Sequence, residues 1–328
     1  ESLDRIEKIE NYDKLDITEL ATKLLVRYVA TGSLWKMGEM FQLSVELYDT
    51  KDKKVVWSDR WQENWDNLPT IKMHLSDGLL KALDTKPKVE QKVDTTNPEA
   101  YEFYLKAKHK YEKRENMEDT NMTRGLLNKA IELDNNLLVA KRLLGITYKS
   151  EGDFERARCI YEDALLQSEK LNYKRDTSAL LASLGTLYHN LGESNKSLSY
   201  LNRALAIRKE LGLNEAAEAM KVSMGLVYWD LGNYDQAIDL MESAHNYFTE
   251  LGDIDFMDLT NNLGGLYNGK GLFQKAFDNY KISLKIRQDK GEVEGIAYPL
   301  MGLGLLSFQK KDFNNALKYL QEAYDICK

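Results

Sequence analysis

Catalysis needs side chains that can move a proton, hold a metal or attack a carbonyl, gathered at short spacing. This sequence offers few of them. Its four histidines are His74, His109, His189 and His245, and none stands within metal-ligand spacing of another. Two cysteines, Cys159 and Cys327, can form neither a disulfide framework nor a zinc site by themselves, and they point to a reducing compartment. Cys159 sits beside an apolar stripe and reads as a buried structural thiol. Ser33 follows Gly32 but lacks the flanking pattern of a nucleophile elbow. The acidic pairs Glu7/Glu10 and Asp253/Asp255 read as solvated surface rather than as a general acid and base. Two sequons, Asn121-Met122-Thr123 and Asn195-Lys196-Ser197, carry no consequence without a secretory signal. The expectation is a non-enzyme with no metal and no cofactor.

Composition narrows the partners. The 328 residues are about two domains' worth of chain, 43% of them apolar. A formal charge of -7 makes bulk electrostatic grip on a phosphate backbone a poor prospect, so nucleic acid is not expected. No apolar run approaches the ~20 residues that cross a bilayer, so no membrane partner is expected. Four prolines argue against a disordered chain. The chain begins Glu1-Ser2-Leu3, which suggests a piece of a longer, cytoplasmic polypeptide in which a catalytic domain stands elsewhere.

The elements that position side chains are set by a repeat. A large apolar residue, Gly, two residues and Tyr recur at Leu144-Gly145/Tyr148, Leu184-Gly185/Tyr188, Met224-Gly225/Tyr228 and Leu263-Gly264/Tyr267. A fifth copy, Leu303-Gly304, has Ser307 at the Tyr place. The glycines step by 40, 40, 39 and 40 residues. A second glycine, at Gly152, Gly192, Gly232 and Gly271, reads as a helix C-cap and turn. Small residues then follow at Ala157, Ser197, Ala237, Ala276 and Ala316, and again at Ala164, Ala204, Ala244, Ser283 and Ala323. Small side chains let two helices approach closely, while Tyr and Leu fill the holes between neighbouring pairs. One pair cannot bury both its faces, so the copies must stack.

This pattern resembles the tetratricopeptide repeat, whose usual period is 34, in the longer-helix variety of kinesin light chains and Leu-Gly-Asn-repeat scaffold proteins. A degenerate copy from Asn97-Pro98-Glu99-Ala100-Tyr101 to Asp134 precedes the five. The resemblance implies a mainly α fold, a right-handed superhelix or α-solenoid over residues 96–328, with a small α+β segment at the amino terminus.

Residues 1–95 differ. Ile17 to Leu25 have helical spacing, and Phe41, Leu43, Val45 and Leu47 alternate with polar residues as a half-buried strand. Asp49 to Lys53 form a turn, and Val55 to Trp61 a returning strand. Val26–Val29 and Leu34–Lys36 read as further short strands either side of Gly32. Leu68, Ile71, Leu75, Leu79 and Leu83 mark an amphipathic helix, and Pro87 to Thr96 a linker. Tyr28-Val29-Ala30-Thr31-Gly32-Ser33, Leu47-Tyr48-Asp49-Thr50 and Val56-Trp57-Ser58-Asp59-Arg60-Trp61 resemble stretches of the TolB-like amino-terminal domain. That resemblance implies a partial domain of the kind found in bacterial signalling proteins between an adenylate/guanylate cyclase domain and carboxy-terminal repeats.

In such a solenoid the first helix of each pair lines a concave face. Counted from each Gly, the inward positions supply Arg142 and Lys149, then His189 and Asn190, then Trp229 and Asp230. The fourth copy adds Asp258, Asn261, Asn262 and Asn268, and the fifth Tyr298, Met301, Leu305 and Phe308. The resemblance implies a protein or peptide ligand there. Asn262 stands where the scaffold proteins hold a peptide backbone, and its amide both donates and accepts. Trp229 and Phe308 serve either as partner anchors or as packing against the adjacent copy. The last copy has no polar capping helix after it, which suggests that its second helix is polar enough, that the chain is longer, or that a homodimer forms through that end. The expected function is a protein-binding regulatory module at the carboxy-terminal end of a cyclase-like protein. The alternative is a free-standing scaffold or chaperone adaptor.

Overall fold

In a computed structural model of the chain, the described residues are 15–24, 26–37, 40–64, 74–75, 78–79, 81–83, 97–251 and 259–328. Glu7, Glu10, Leu25, Leu68, Ile71, Pro87 to Thr96, Asp253, Asp255 and Asp258 lie outside them. The chain divides into two compact units, residues 1–147 and 148–328.

The first unit opens with α1 (Ile17–Leu24), then β1 (Tyr28–Met37), β2 (Met40–Asp49) and β3 (Lys54–Asn64), a three-stranded antiparallel sheet in sequence order. Alternation puts Phe41, Val45 and Leu47 of the central strand on one buried face. The expectation of two short strands around Gly32 is corrected: β1 runs unbroken, with Gly32 paired to Val45. Glycine fits because a Cβ there would stand 2.6 Å from the Ser44 carbonyl oxygen, so the residue marks a close backbone approach rather than a break. The returning strand is also longer than its apolar core, because pairing with β2 continues to Met40↔Asn64. Residues 74–75, 78–79 and 81–82 are helical, and Gly78 lets that turn lie against the Trp57 ring.

Asp49 closes the β2–β3 turn. It is buried, takes a bidentate bond from Arg27 (2.7 Å at Nη2), and accepts from the Lys51 and Asp52 amides. The Arg27 hydrogen bond, helped by those amides, lowers its pKa to about 2. An unfolded aspartate titrates near about 3.9, so the folded form binds its proton less readily. The stabilisation is therefore complete above pH ~4 and lost as pH falls toward 2. Asp49→Asn is expected to abolish this acid step, followed through the fluorescence of Trp35, Trp57 and Trp61. Superimposable acid titrations of the two proteins would refute the assignment.

Helices α2 (Pro98–Glu112) and α3 (Met117–Leu133) pack as an antiparallel pair. Asn97 starts the first: its Oδ1 accepts from Ala100 N at 3.1 Å while its Nδ2 donates to Leu133 O at the end of the second. Pro98 occupies the first helical position, where its missing N–H costs nothing. Helix α4 (Leu138–Ser150) spans the division between the units.

The second unit is α5 (Phe154–Lys170), then the pairs α6 (Lys174–Asn190) with α7 (Ser194–Glu210), α8 (Asn214–Asp230) with α9 (Tyr234–Leu251), α10 (Leu259–Gly269) with α11 (Phe273–Lys290), and α12 (Ala297–Gln309) with α13 (Phe313–Ile326). The longer period is shared between second helices of 17 or 18 residues in α5, α7, α9 and α11 and first helices of 17 in α6 and α8. The turn glycines adopt left-handed φ between 70° and 81°, and the fifth copy holds Lys311 there at 62°. Ala157, Ser197, Ala237 and Ala276 are fully buried, as are Ala164, Ala204, Ala244 and Ser283.

The repeat glycines Gly185, Gly225, Gly264 and Gly304 face the second helix of their own pair. A Cβ on Gly185 would stand 2.5 Å from Leu201, and one on Gly225 2.9 Å from Met241. Tyr at the third position beyond the glycine reaches back to the preceding second helix: Tyr188 to Glu162 at 3.4 Å, and Tyr267 to Glu242. Both phenols are held above their ordinary pKa, chiefly by burial. Cys159 corrects an expectation. It is exposed, because the buried stripe of α5 runs through Ala157, Tyr161, Ala164 and Leu165, and a residue two places from Ala157 points about 200° away.

Candidate partner-binding face

Helical phase decides what the first helices present. On α4, Arg142 and Lys149 are partly buried, and burial pulls the Lys149 ammonium below its usual pKa. On α6, Asn190 is exposed and His189 is partly buried. His189 Nε2 lies 2.6 Å from Asp230 Oδ2 on α8. Two residues expected to meet a ligand thus meet each other, tying the inward faces of consecutive copies. Opposite polarity one repeat apart, at the fourth and fifth positions after the glycine, is the signal that finds this link in a sequence.

Trp229, four positions after Gly225, takes the packing role of its two. Its indole lies against Gly265 on α10, where a Cβ would collide with the ring. Val222 and Leu226 on the same helix join clusters that span their own copy and the next. Val222 joins a cluster with Phe248 and Leu259, and Leu226 one that includes Leu263 and Leu266. The third copy therefore spends much of its inward apolar surface on its neighbour.

The fourth copy is different. Asn261, Asn262 and Asn268 are partly buried on α10. The side-chain carbonyl oxygens of Asn261 and Asn268 are enclosed and have no hydrogen-bond partner among the described residues. An enclosed acceptor without a donor costs about 1–3 kcal/mol, so each amide is a place where an added N–H would be welcome. In the fifth copy Tyr298, Met301, Leu305 and Phe308 are exposed, Phe308 making an edge contact with Phe313 at 5.7 Å. Arg287 lies 5.8 Å from the Tyr298 ring. Among the described residues no three His, Cys, Asp or Glu side chains gather as a metal site, and no helix is long and apolar enough to cross a membrane.

Family models of the tetratricopeptide repeat match residues 136–210, 218–244 and 255–328. The chain carries tetratricopeptide repeats. No curated protein sequence matches it. Solved structures do. BtubC (BKLC) from P. vanneervenii is 20% identical with a TM-score of 0.54, over 69% of this chain and 90% of that one. A Rap protein complexed with competence and sporulation factor is 13% identical with a TM-score of 0.55, over 76% and 79%. The APC/C hetero-tetramer Cut9–Hcn1 gives 17% identity and a TM-score of 0.55, over 78% of this chain and 43% of that one. At these identities the likeness establishes a shared fold: tetratricopeptide helical repeats, preceded in this chain by a small three-stranded sheet.

Proposed function

We propose that the chain is a protein-binding regulatory module whose ligand is an extended peptide segment lying along the first helices of the second to fourth copies. The observation that carries this is the pair of unpartnered amide oxygens of Asn261 and Asn268. They stand seven residues apart on one helix, about 10.5 Å along its axis. A segment in the extended polyproline II conformation advances ~3.1 Å per residue with three residues per turn, so backbone N–H groups three residues apart lie on one side at close to that spacing. Asn262 adds a further amide on the same helix and Asn190 an exposed one on α6, while Asp230 is engaged by His189. The Rap protein named above is bound to a competence and sporulation factor, which supports a ligand-binding role for such repeats.

The module belongs, in this reading, to a cytoplasmic bacterial signalling protein of the adenylate/guanylate cyclase kind, with residues 1–95 as part of a TolB-like domain. In support, the three motif stretches from Tyr28, Leu47 and Val56 fall on consecutive paired strands. Occupancy of the repeats would then be passed to an output domain elsewhere in that protein.

The test is selection of short random peptides on the intact chain, with selected binders titrated against Asn261→Ala and Asn268→Ala. Each variant is expected to weaken binding about tenfold, the worth of one well-placed hydrogen bond, with no fall in melting temperature. Failure to select any peptide, or equal affinity for wild type and both variants, would end this reading.

A further inference from the structure

Three positions of α10 line up on one face. Asn261, Gly265 and Asn268 are spaced by four and then three residues, which stacks them along the helix. The Trp229 indole from α8 sits on the middle one. Its ring atom Cζ2 lies 2.6 Å from where a Gly265 Cβ would stand, and Cη2 is closer still. The benzo edge makes this contact and leaves the N–H edge clear of Gly265. Nε1 has no hydrogen-bond partner among the described residues, and the side chain is partly exposed. Along α10 the order is therefore an amide oxygen without a donor, an aromatic plate with a spare N–H, and a second amide oxygen without a donor. Glycine at 265 is what admits the plate between the two amides.

We propose that the ligand segment at α10 is proline-rich, with two prolines between a pair of residues that keep their N–H groups. Resting on the peptide reading above, this names the ligand's chemical class. Spacing is the first argument. The two asparagines are about 10.5 Å apart along the helix axis. In a polyproline II segment, residues three apart face the same side about 9.3 Å from one another, and the asparagine rotamers take up the difference. Only every third residue then has to donate. Polarity is the second. Between the two acceptors stand a helical glycine and indole carbon, which offer no acceptor atom. Proline brings no N–H to that interval, and its carbonyl oxygen accepts from the spare Nε1–H of Trp229. Shape and entropy are the third. The proline ring packs on the indole, and a chain already held at the polyproline II φ loses little freedom on binding. Grooves that read such segments pair an aromatic surface with this preformed helix.

The probe is an end-blocked peptide of four Ala-Pro-Pro triplets, titrated calorimetrically into the intact chain. Two blocked controls of the same length accompany it. Polyproline keeps the helix and has no N–H, whereas four Ala-Ser-Ser triplets keep every N–H and have no preset helix. The Ala-Pro-Pro peptide is expected to bind, and each control at least about tenfold more weakly. Trp229→Phe retains a ring against Gly265 but has no N–H, and is expected to weaken the Ala-Pro-Pro peptide about fivefold. Circular dichroism confirms that the variant is folded. Should it fail to fold, Asn268→Ala decides: it is expected to cost the Ala-Pro-Pro peptide about tenfold and polyproline nothing, since polyproline has no N–H to lose a partner. No binding of the Ala-Pro-Pro peptide below about 1 mM, a control that binds as well, a folded Trp229→Phe of unchanged affinity, or an Asn268→Ala loss shared by polyproline would each overturn the proposal. Selected peptides that lack proline yet depend on Asn261 and Asn268 would overturn it while leaving the broader peptide reading in place. A chain that selects no peptide at all would remove both.

Discussion

Met241→Ala is expected to lower the free energy of unfolding by about 2–5 kcal/mol, the range for emptying a buried methionine or leucine site. The upper half of that range is the specific expectation. Met241 is fully buried on α9 and serves two interfaces. Its Cγ and Cε lie against Gly225 within its own pair. It also belongs to the cluster that includes Leu263 and Leu266 of the next pair. In a repeat array stability is a sum of terms within copies and between neighbours, and this side chain enters both. The glycine cannot reach inward to fill the space, so the cavity persists. Chemical denaturation checks the prediction, and a loss below about 1 kcal/mol would mean that the two helices close over the gap.

Gly264→Val is expected to cost at least the usual 1–3 kcal/mol of an overpacked core, and Gly302→Val as much. Tyr280 explains both. A Cβ on Gly264 would stand 2.7 Å from its ring, and one on Gly302 2.5 Å. The ring is thus held between two bare stretches of backbone on successive first helices and has nowhere to move. Shrinking it should relieve the strain: with Tyr280→Leu in place, either valine is expected to cost less than it does alone. A double-mutant cycle measures this coupling, and strictly additive losses would place the strain elsewhere.

Most of the repeat fold was legible because its determinants are local and recur. A glycine every 39 or 40 residues with small residues at fixed distances specifies the pairs without reference to anything distant. What was not legible depended on long-range partners. Gly32 looks like a strand breaker until Ser44 is seen beside it. Cys159 stands next to apolar residues in sequence but on the other side of the helix. At the candidate face, His189 and Asp230 were each readable as ligand contacts, and only the distance between them shows that they are a pair. The Gly264-Gly265 doublet could have disclosed the seat of Trp229, since the second glycine serves no contact within its own pair. The orphaned oxygens of Asn261 and Asn268 have no sequence signature, because enclosure of one atom is decided by several neighbouring side chains.

The contact between Trp229 and Gly265 also governs geometry. A flat ring driven against naked backbone behaves as a wedge of fixed thickness, whereas the imidazole–carboxylate link one step earlier behaves as a tether of adjustable length. Any side chain at position 265 must therefore push the third and fourth first helices apart, whereas the second and third are linked through side chains that can change rotamer.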